Sequence, residues 1–171
     1  PLYRWDKMAD EDFAWWKARL KRALNQADVF RIDHFRGFAG YFEIPASCPT
    51  AEQGQWLPGP GSKLFEAIER SLGKLPIVAE DLGLITQDVI ELRDQFDFPG
   101  MKILQFGFST DENDGFLPHN WEPNFVAYTG THDNDTVRGS WQNAPEYERK
   151  YAAEYLSANA DNIHWAMIQS C

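Results

Sequence analysis

Apolar residues along this chain switch between two rhythms, three-and-four spacing and short continuous runs, as helices alternating with strands of a parallel sheet require. Phe13, Trp16, Leu20, Ala23, Leu24 and Ala27 predict an amphipathic helix over 10–26, with Lys17, Arg19, Lys21 and Arg22 on its wet arc. Acidic residues at its start and basic ones toward its end suit the helix dipole. The run 28–33 then reads as a strand ending at Asp33. Ser62 caps a second predicted helix with the stripe Leu64, Phe65, Ile68 and Leu72, stopped by Gly73. Pro76–Ala79 is the next strand, ending at Glu80 and Asp81, and Thr86 opens a helix facing Val89, Leu92 and Phe96 inward. Gly100–Phe108 and Asn124–Tyr128 are two further strands, and helices are expected over 146–156 and 162–169.

Two stretches lack periodicity. Residues 34–61 hold Gly, Pro and Trp56 in a connection too long for a routine loop, which marks it as functional. The polar insert STDENDGFLPHNWEP separates the last two strands. No internal repeat, low-complexity tract or domain linker interrupts the pattern, so residues 1–171 read as one α/β domain without a separate second one.

Composition narrows the partners. A formal net charge of -10 repels a phosphate backbone, so nucleic acid is not an expected partner. No apolar run approaches the roughly 20 residues that cross a bilayer, and the start lacks a signal-peptide pattern; no membrane partner and a cytoplasmic location are expected. Cys48 and Cys171 supply neither a disulfide framework nor metal-ligand spacing. Seven Trp and twelve Phe are more rings than a core of this size needs, and sugar-binding clefts use such rings as platforms. The chain starts at Pro1 rather than Met and stops within an amphipathic stretch, so both ends read as cut.

Three predicted strands run into acids: Asp33, Glu80 with Asp81, and Asp133. Parallel strands of one barrel end on one face, so these carboxylates would meet there. Like charges in one pocket push each other's proton affinities apart, which suits a reaction needing one ionised and one protonated carboxyl, such as glycosidic-bond cleavage. Each also has an ordinary reading: Asp33 pairing with Arg31 or Arg36, Glu80–Asp81 as a turn pair, and Asp133 and Asp135 as Asx-turn residues. Likewise His34 and His132 could be ordinary loop histidines, and Trp56, Trp121 and Trp141 packing residues.

The segments RIDHFRGFAGYFEIPA, GPGSKLFEAI, LPIVAEDLGLIT, FPGMKILQFGF, LPHNW and VAYTGTHDNDT, in that order, resemble the 4-α-glucanotransferases of the amylomaltase, or disproportionating enzyme, family. The resemblance implies a partial (β/α)8 TIM barrel, strands 4 to 7 with their helices, and transfer of α-1,4-glucan segments between maltooligosaccharides in starch and glycogen metabolism. It implies Asp33 as nucleophile, Glu80 as general acid/base and Asp133 as the third carboxylate, with Arg31 beside the nucleophile. His34 and His132 match sugar-hydroxyl donors, and His119 and Asn120 match glucose contacts; Trp56 is a candidate sugar platform. Trp121 stands where the family usually has Tyr. This chemistry calls for no metal or organic cofactor. A piece of a barrel leaves open edges, so self-association of the isolated chain and an inactive isolated chain are expected. Two other readings stay open: a glucan-binding module without catalysis, and a metal-dependent phosphohydrolase using His34, His132, Asp133 and Asp135.

Overall fold

The computed structural model describes residues 2–109 and 111–171; Pro1, at the head of the chain, and Thr110, in the polar insert, lie outside the described residues. The chain packs as two compact units, Pro1–Gly100 and Met101–Cys171.

In the first unit a short helix α1 (Trp5–Asp10) precedes α2 (Ala14–Leu24). The helix expected over 10–26 therefore begins later, because Asp12 and Phe13 adopt left-handed backbone (φ 49° and 53°) and break the spiral between them. Phe13, Trp16 and Leu20 still bury together, as their spacing predicts. Strand β1 (Phe30–Ile32) follows. The segment expected as an irregular loop contains a 3-10 turn, Phe35–Phe38, and an antiparallel hairpin of β2 (Gly40–Glu43) and β3 (Gln55–Pro58). Its strands are short and their connection long, so no alternation betrays them in the sequence. Gly59 leaves the hairpin where a Cβ would lie 2.2 Å from the Phe38 carbonyl oxygen, so only glycine fits that close approach.

Helix α3 (Ser62–Leu72) buries Leu64, Phe65, Ala67 and Ile68 on one stripe. Its N-cap is Gly61 rather than Ser62, because the entry needs a positive φ of 57°, and Ser62 is the first helical residue. Strand β4 (Ile77–Ala79) pairs parallel with β1 in the register Phe30↔Ile77, Arg31↔Val78, Ile32↔Ala79. Helix α4 (Gln87–Gln95) starts from Thr86 as expected and buries Val89 and Leu92. The core of this unit is aromatic: Phe35, Phe38, Phe65, Phe96 and Phe98 stack or meet edge to face at 5.2–6.0 Å between centroids. Much of the ring surplus is thus packing.

In the second unit β5 (Gly100–Ile103) pairs with β6 (Phe125–Tyr128). The strand expected to reach Phe108 stops early, since Leu104–Phe106 turns into a 3-10 helix. Helices α5 (Val137–Asn143), α6 (Glu146–Tyr155) and α7 (Ile163–Ser170) complete the unit; α5 is absent from the sequence reading. Thr136 caps α5 by accepting the Gly139 N–H at 3.1 Å. Leu104, Phe108, Leu117, Ile163 and Met167 form the buried centre.

Candidate active site

The parallel register of β1 and β4 carries straight into the chemistry. One residue beyond the Ile32↔Ala79 pair stand Asp33 and Glu80, on strands that run about 4.8 Å apart. The ladder continues through them: the Glu80 N–H donates to Ile32 O at 2.9 Å and the Phe35 N–H donates to Glu80 O at 2.9 Å. The Glu80 carboxylate is held by backbone as well. His34 N–H donates to its Oε2 at 2.7 Å and Leu82 N–H to its Oε1 at 2.9 Å. His34 reaches that position only because it is left-handed (φ 50°, ψ 52°), a conformation costing a non-glycine residue roughly 1–2 kcal/mol. Local strain is thus spent on orienting a carboxylate.

Asp33 projects into solvent, its side chain 75% exposed, and Arg31 binds its Oδ1 at 2.9 Å. Of the two arginines the sequence offered, Arg31 is the partner. Arg36 turns elsewhere, laying its guanidinium over the Trp56 ring at 4.4 Å and donating to the Leu84 carbonyl. Trp56 is exposed and carries this cation on one face. Arg36 therefore joins the hairpin to the loop that follows Glu80, a role no spacing in the sequence signals.

The neighbouring acids Glu80 and Asp81 take different partners. Asp81 is nearly enclosed and accepts from Arg93 Nη1 at 2.5 Å, tying the loop after β4 to α4. A cavity of about 590 Å³ opens beside β1, lined by Arg31, Asp33 and His34 together with Trp5, Trp16 and Tyr41. An acid, a guanidinium, an imidazole and aromatic walls are the groups a sugar ring meets on its polar edge and apolar face.

In the second unit the residues after β6 form a compact turn. Asn134 Oδ1 accepts from Thr131 N at 2.8 Å and Thr131 Oγ1 at 3.0 Å, and Asp133 N–H donates to Thr131 Oγ1 at 3.3 Å. Asp135 caps the approach to α5, accepting from Thr136 N at 2.7 Å and Asn143 Nδ2 at 3.3 Å. Asp133 is left pointing outward, 80% exposed, with His132 Nε2 at 3.3 Å. Thus the side chain that closes the turn is that of Asn134, which the sequence reading did not single out; Asp135 acts as a cap instead of an Asx-turn residue, and Asp133 joins the turn through its backbone N–H.

His119 and Asn120 are engaged in holding the polar insert. His119 Nδ1 meets the Tyr155 hydroxyl at 2.7 Å and its Nε2 meets Glu112 O at 2.8 Å; Asn120 Nδ2 donates to Glu112 O at 2.8 Å and Asp114 O at 3.0 Å. Trp121 donates through Nε1 to Phe116 O at 3.0 Å. Among the described residues no three His, Cys, Asp or Glu gather as metal ligands, so the phosphohydrolase pattern has no assembled site. No helix is long and apolar enough to cross a membrane among those residues.

Carboxylates closing adjacent parallel strands, beside an aromatic cavity, define an α/β protein with paired acids at its strand ends. A family model described as 4-alpha-glucanotransferase matches residues 1–171. The chloroplastic/amyloplastic 4-alpha-glucanotransferase of Arabidopsis thaliana is 48% identical over 99% of this chain and 30% of its own length; that of Thermus thermophilus is 48% identical over 98% and 35%. An amylomaltase from Streptococcus agalactiae in complex with acarbose superposes with a TM-score of 0.94 at 40% identity, covering 99% of this chain and 35% of that one. The chain belongs to the 4-alpha-glucanotransferase family. It spans about a third of the length of these relatives.

Proposed function

We propose that this chain supplies the catalytic carboxylates of a 4-α-glucanotransferase, an enzyme moving α-1,4-glucan segments between maltooligosaccharides by a retaining double displacement. The observation that carries the reading is the β1–β4 register, which sets Asp33 and Glu80 on neighbouring strand ends with Glu80 gripped by two backbone N–H groups. These strands correspond to the fourth and fifth of a (β/α)8 barrel, and β5 and β6 to the sixth and seventh.

Asp33 attacks the anomeric carbon, and Arg31 orients its carboxylate and balances its charge. Glu80 gives its proton to the departing oligosaccharide oxygen; each of its oxygens has lone pairs beyond the one its backbone donor takes. The β-linked glucosyl ester on Asp33 is then opened by the 4-hydroxyl of an acceptor sugar, whose proton returns to Glu80. Asp133 holds sugar hydroxyls, with His34 and His132 as hydroxyl donors and Trp56 as a platform at the hairpin. Within the second unit, His119 and Asn120 act through the insert they fasten. The residues in these roles supply nucleophile, acid and base themselves, and the chemistry draws on no metal or organic cofactor.

Among the described residues β1 pairs only with β4, which leaves a strand edge open. That edge supports self-association of the isolated chain, and with coverage of a third of the relatives it supports the absence of turnover by 171 residues alone. The test is glucose release from maltotriose by the folded chain, and by a polypeptide of the relatives' length carrying it, each against Asp33→Asn. Release that vanishes in the variant is expected in the longer protein. Glucan binding with no turnover in either, unchanged in Asp33→Asn, contradicts the reading and leaves a binding module.

A further inference from the structure

We propose that a second cavity, walled by α5, α6 and the Ala160–Asp161 turn, binds a phosphorylated hexose through Arg138, Arg149 and Trp141. The cavity measures about 440 Å³, within the roughly 300–1,000 Å³ of small-molecule sites, and Gln142 and Asp161 complete its polar wall.

Two guanidinium groups from two helices reach this one space. Arg138 donates from Nη2 to Asp161 O at 3.5 Å and from Nε to His164 Nδ1 at 3.4 Å; Arg149 donates from Nη1 to Gln142 O at 3.3 Å. These are long contacts to uncharged acceptors, and a guanidinium carries five N–H donors. Among the described residues neither arginine meets a carboxylate within 4.0 Å, Asp161 included, although the chain carries 26 acids against 16 basic residues. Two guanidinium groups with no carboxylate within ion-pair distance, in so acidic a chain, have donors to offer an anion from outside.

The shape of the wall selects which anion. A planar carboxylate is filled by one guanidinium fork, whereas the terminal oxygens of a phosphate monoester can engage two forks approaching from different helices. Phosphate by itself would leave most of the cavity untouched. The half-buried Trp141 presents an apolar surface for a sugar ring, and the Gln142 amide and Asp161 carboxylate can bond hydroxyls. None of these residues belongs to the carboxylate set of the transfer reaction, so the inference stands apart from that reading.

Calorimetric titration of the 171-residue chain with glucose 6-phosphate, inorganic phosphate and maltotriose tests it. Glucose 6-phosphate is expected to bind at least about tenfold more tightly than either other probe, a difference of about 1.4 kcal/mol. Arg138→Gln and Arg149→Gln are each expected to weaken it by at least about tenfold, and Trp141→Leu by less. Arg149→Lys keeps the charge without the fork and, with an unchanged circular dichroism spectrum, is expected to weaken binding severalfold. No binding, equal binding of inorganic phosphate, preference for maltotriose, or affinity unaltered in the folded arginine variants overturns the proposal.

Discussion

The strand end that carries Asp33 and Glu80 and the turn that carries Asp133 place their carboxylates by different physics. At the strand end, position comes from residues 46 and 2 apart in sequence, His34 and Leu82, whose N–H groups hold Glu80. At the turn, Thr131, Asn134 and Asp133 bond one another across two or three residues. The first depends on a strand register that any packing error would disturb; the second needs only a local loop. The group proposed to pass a proton is held by tertiary structure, while the group proposed to hold sugar hydroxyls rests on a self-contained turn.

That contrast can be broken or sharpened. The largest effect is expected at Asp33: in a protein of the relatives' length, Asp33→Asn lowers the transfer rate by roughly 10⁴-fold or more, read as glucose release from maltotriose. Glu80→Gln is expected to lose about 10²–10⁴-fold, with the loss much reduced for a glucosyl fluoride donor whose leaving group needs no proton. Next comes Arg93→Met, which removes the guanidinium from the nearly enclosed Asp81 carboxylate; thermal or urea unfolding is expected to register about 3 kcal/mol of destabilisation. Asn134→Ala removes the acceptor of two bonds in the turn and is expected to cost about 1–2 kcal/mol, visible as faster amide exchange at Thr131 with Leu82 unaffected. Smallest is Arg36→Met, which forfeits the stack on Trp56 at about 0.5–1 kcal/mol, detected by a change in Trp56 indole resonance.

The same contrast explains what could be read in the sequence. Helical stripes such as Leu64, Phe65 and Ile68, and apolar runs ending in acids, are periodic signals and placed α3, β1, β4 and β6 near their observed bounds. The hairpin at Gly40–Pro58 escaped because its partners are joined by a long connection and expose no alternating stripe. The left-handed residues at 12 and 13 escaped because neither is glycine. At the site, adjacency offers Arg31 and Arg36 alike as partners of Asp33; only the resemblance singles out Arg31, which the structure pairs with it. The backbone grip on Glu80, the capture of Asp81 by Arg93 and the move of Arg36 onto Trp56 were not legible, since each joins residues that only folding brings together. His119 and Asn120, matched by resemblance to glucose contacts, have their nitrogens committed to the insert, a fact visible only once Tyr155 and the Glu112 carbonyl are in place.

Under the proposed mechanism Asp33 and Glu80 act as nucleophile and acid/base on adjoining strand ends. The most direct test of these roles is peptide mapping by mass spectrometry of a relatives-length protein carrying this sequence with Glu80→Gln, after incubation with a maltosyl fluoride. Fluoride leaves without an acid, and the missing base slows breakdown of the ester, so a maltosyl group is expected on the peptide containing Asp33, absent when Asp33→Asn is added. A maltosyl group on another carboxylate, or fluoride release with unchanged rate in the double variant, would contradict these roles.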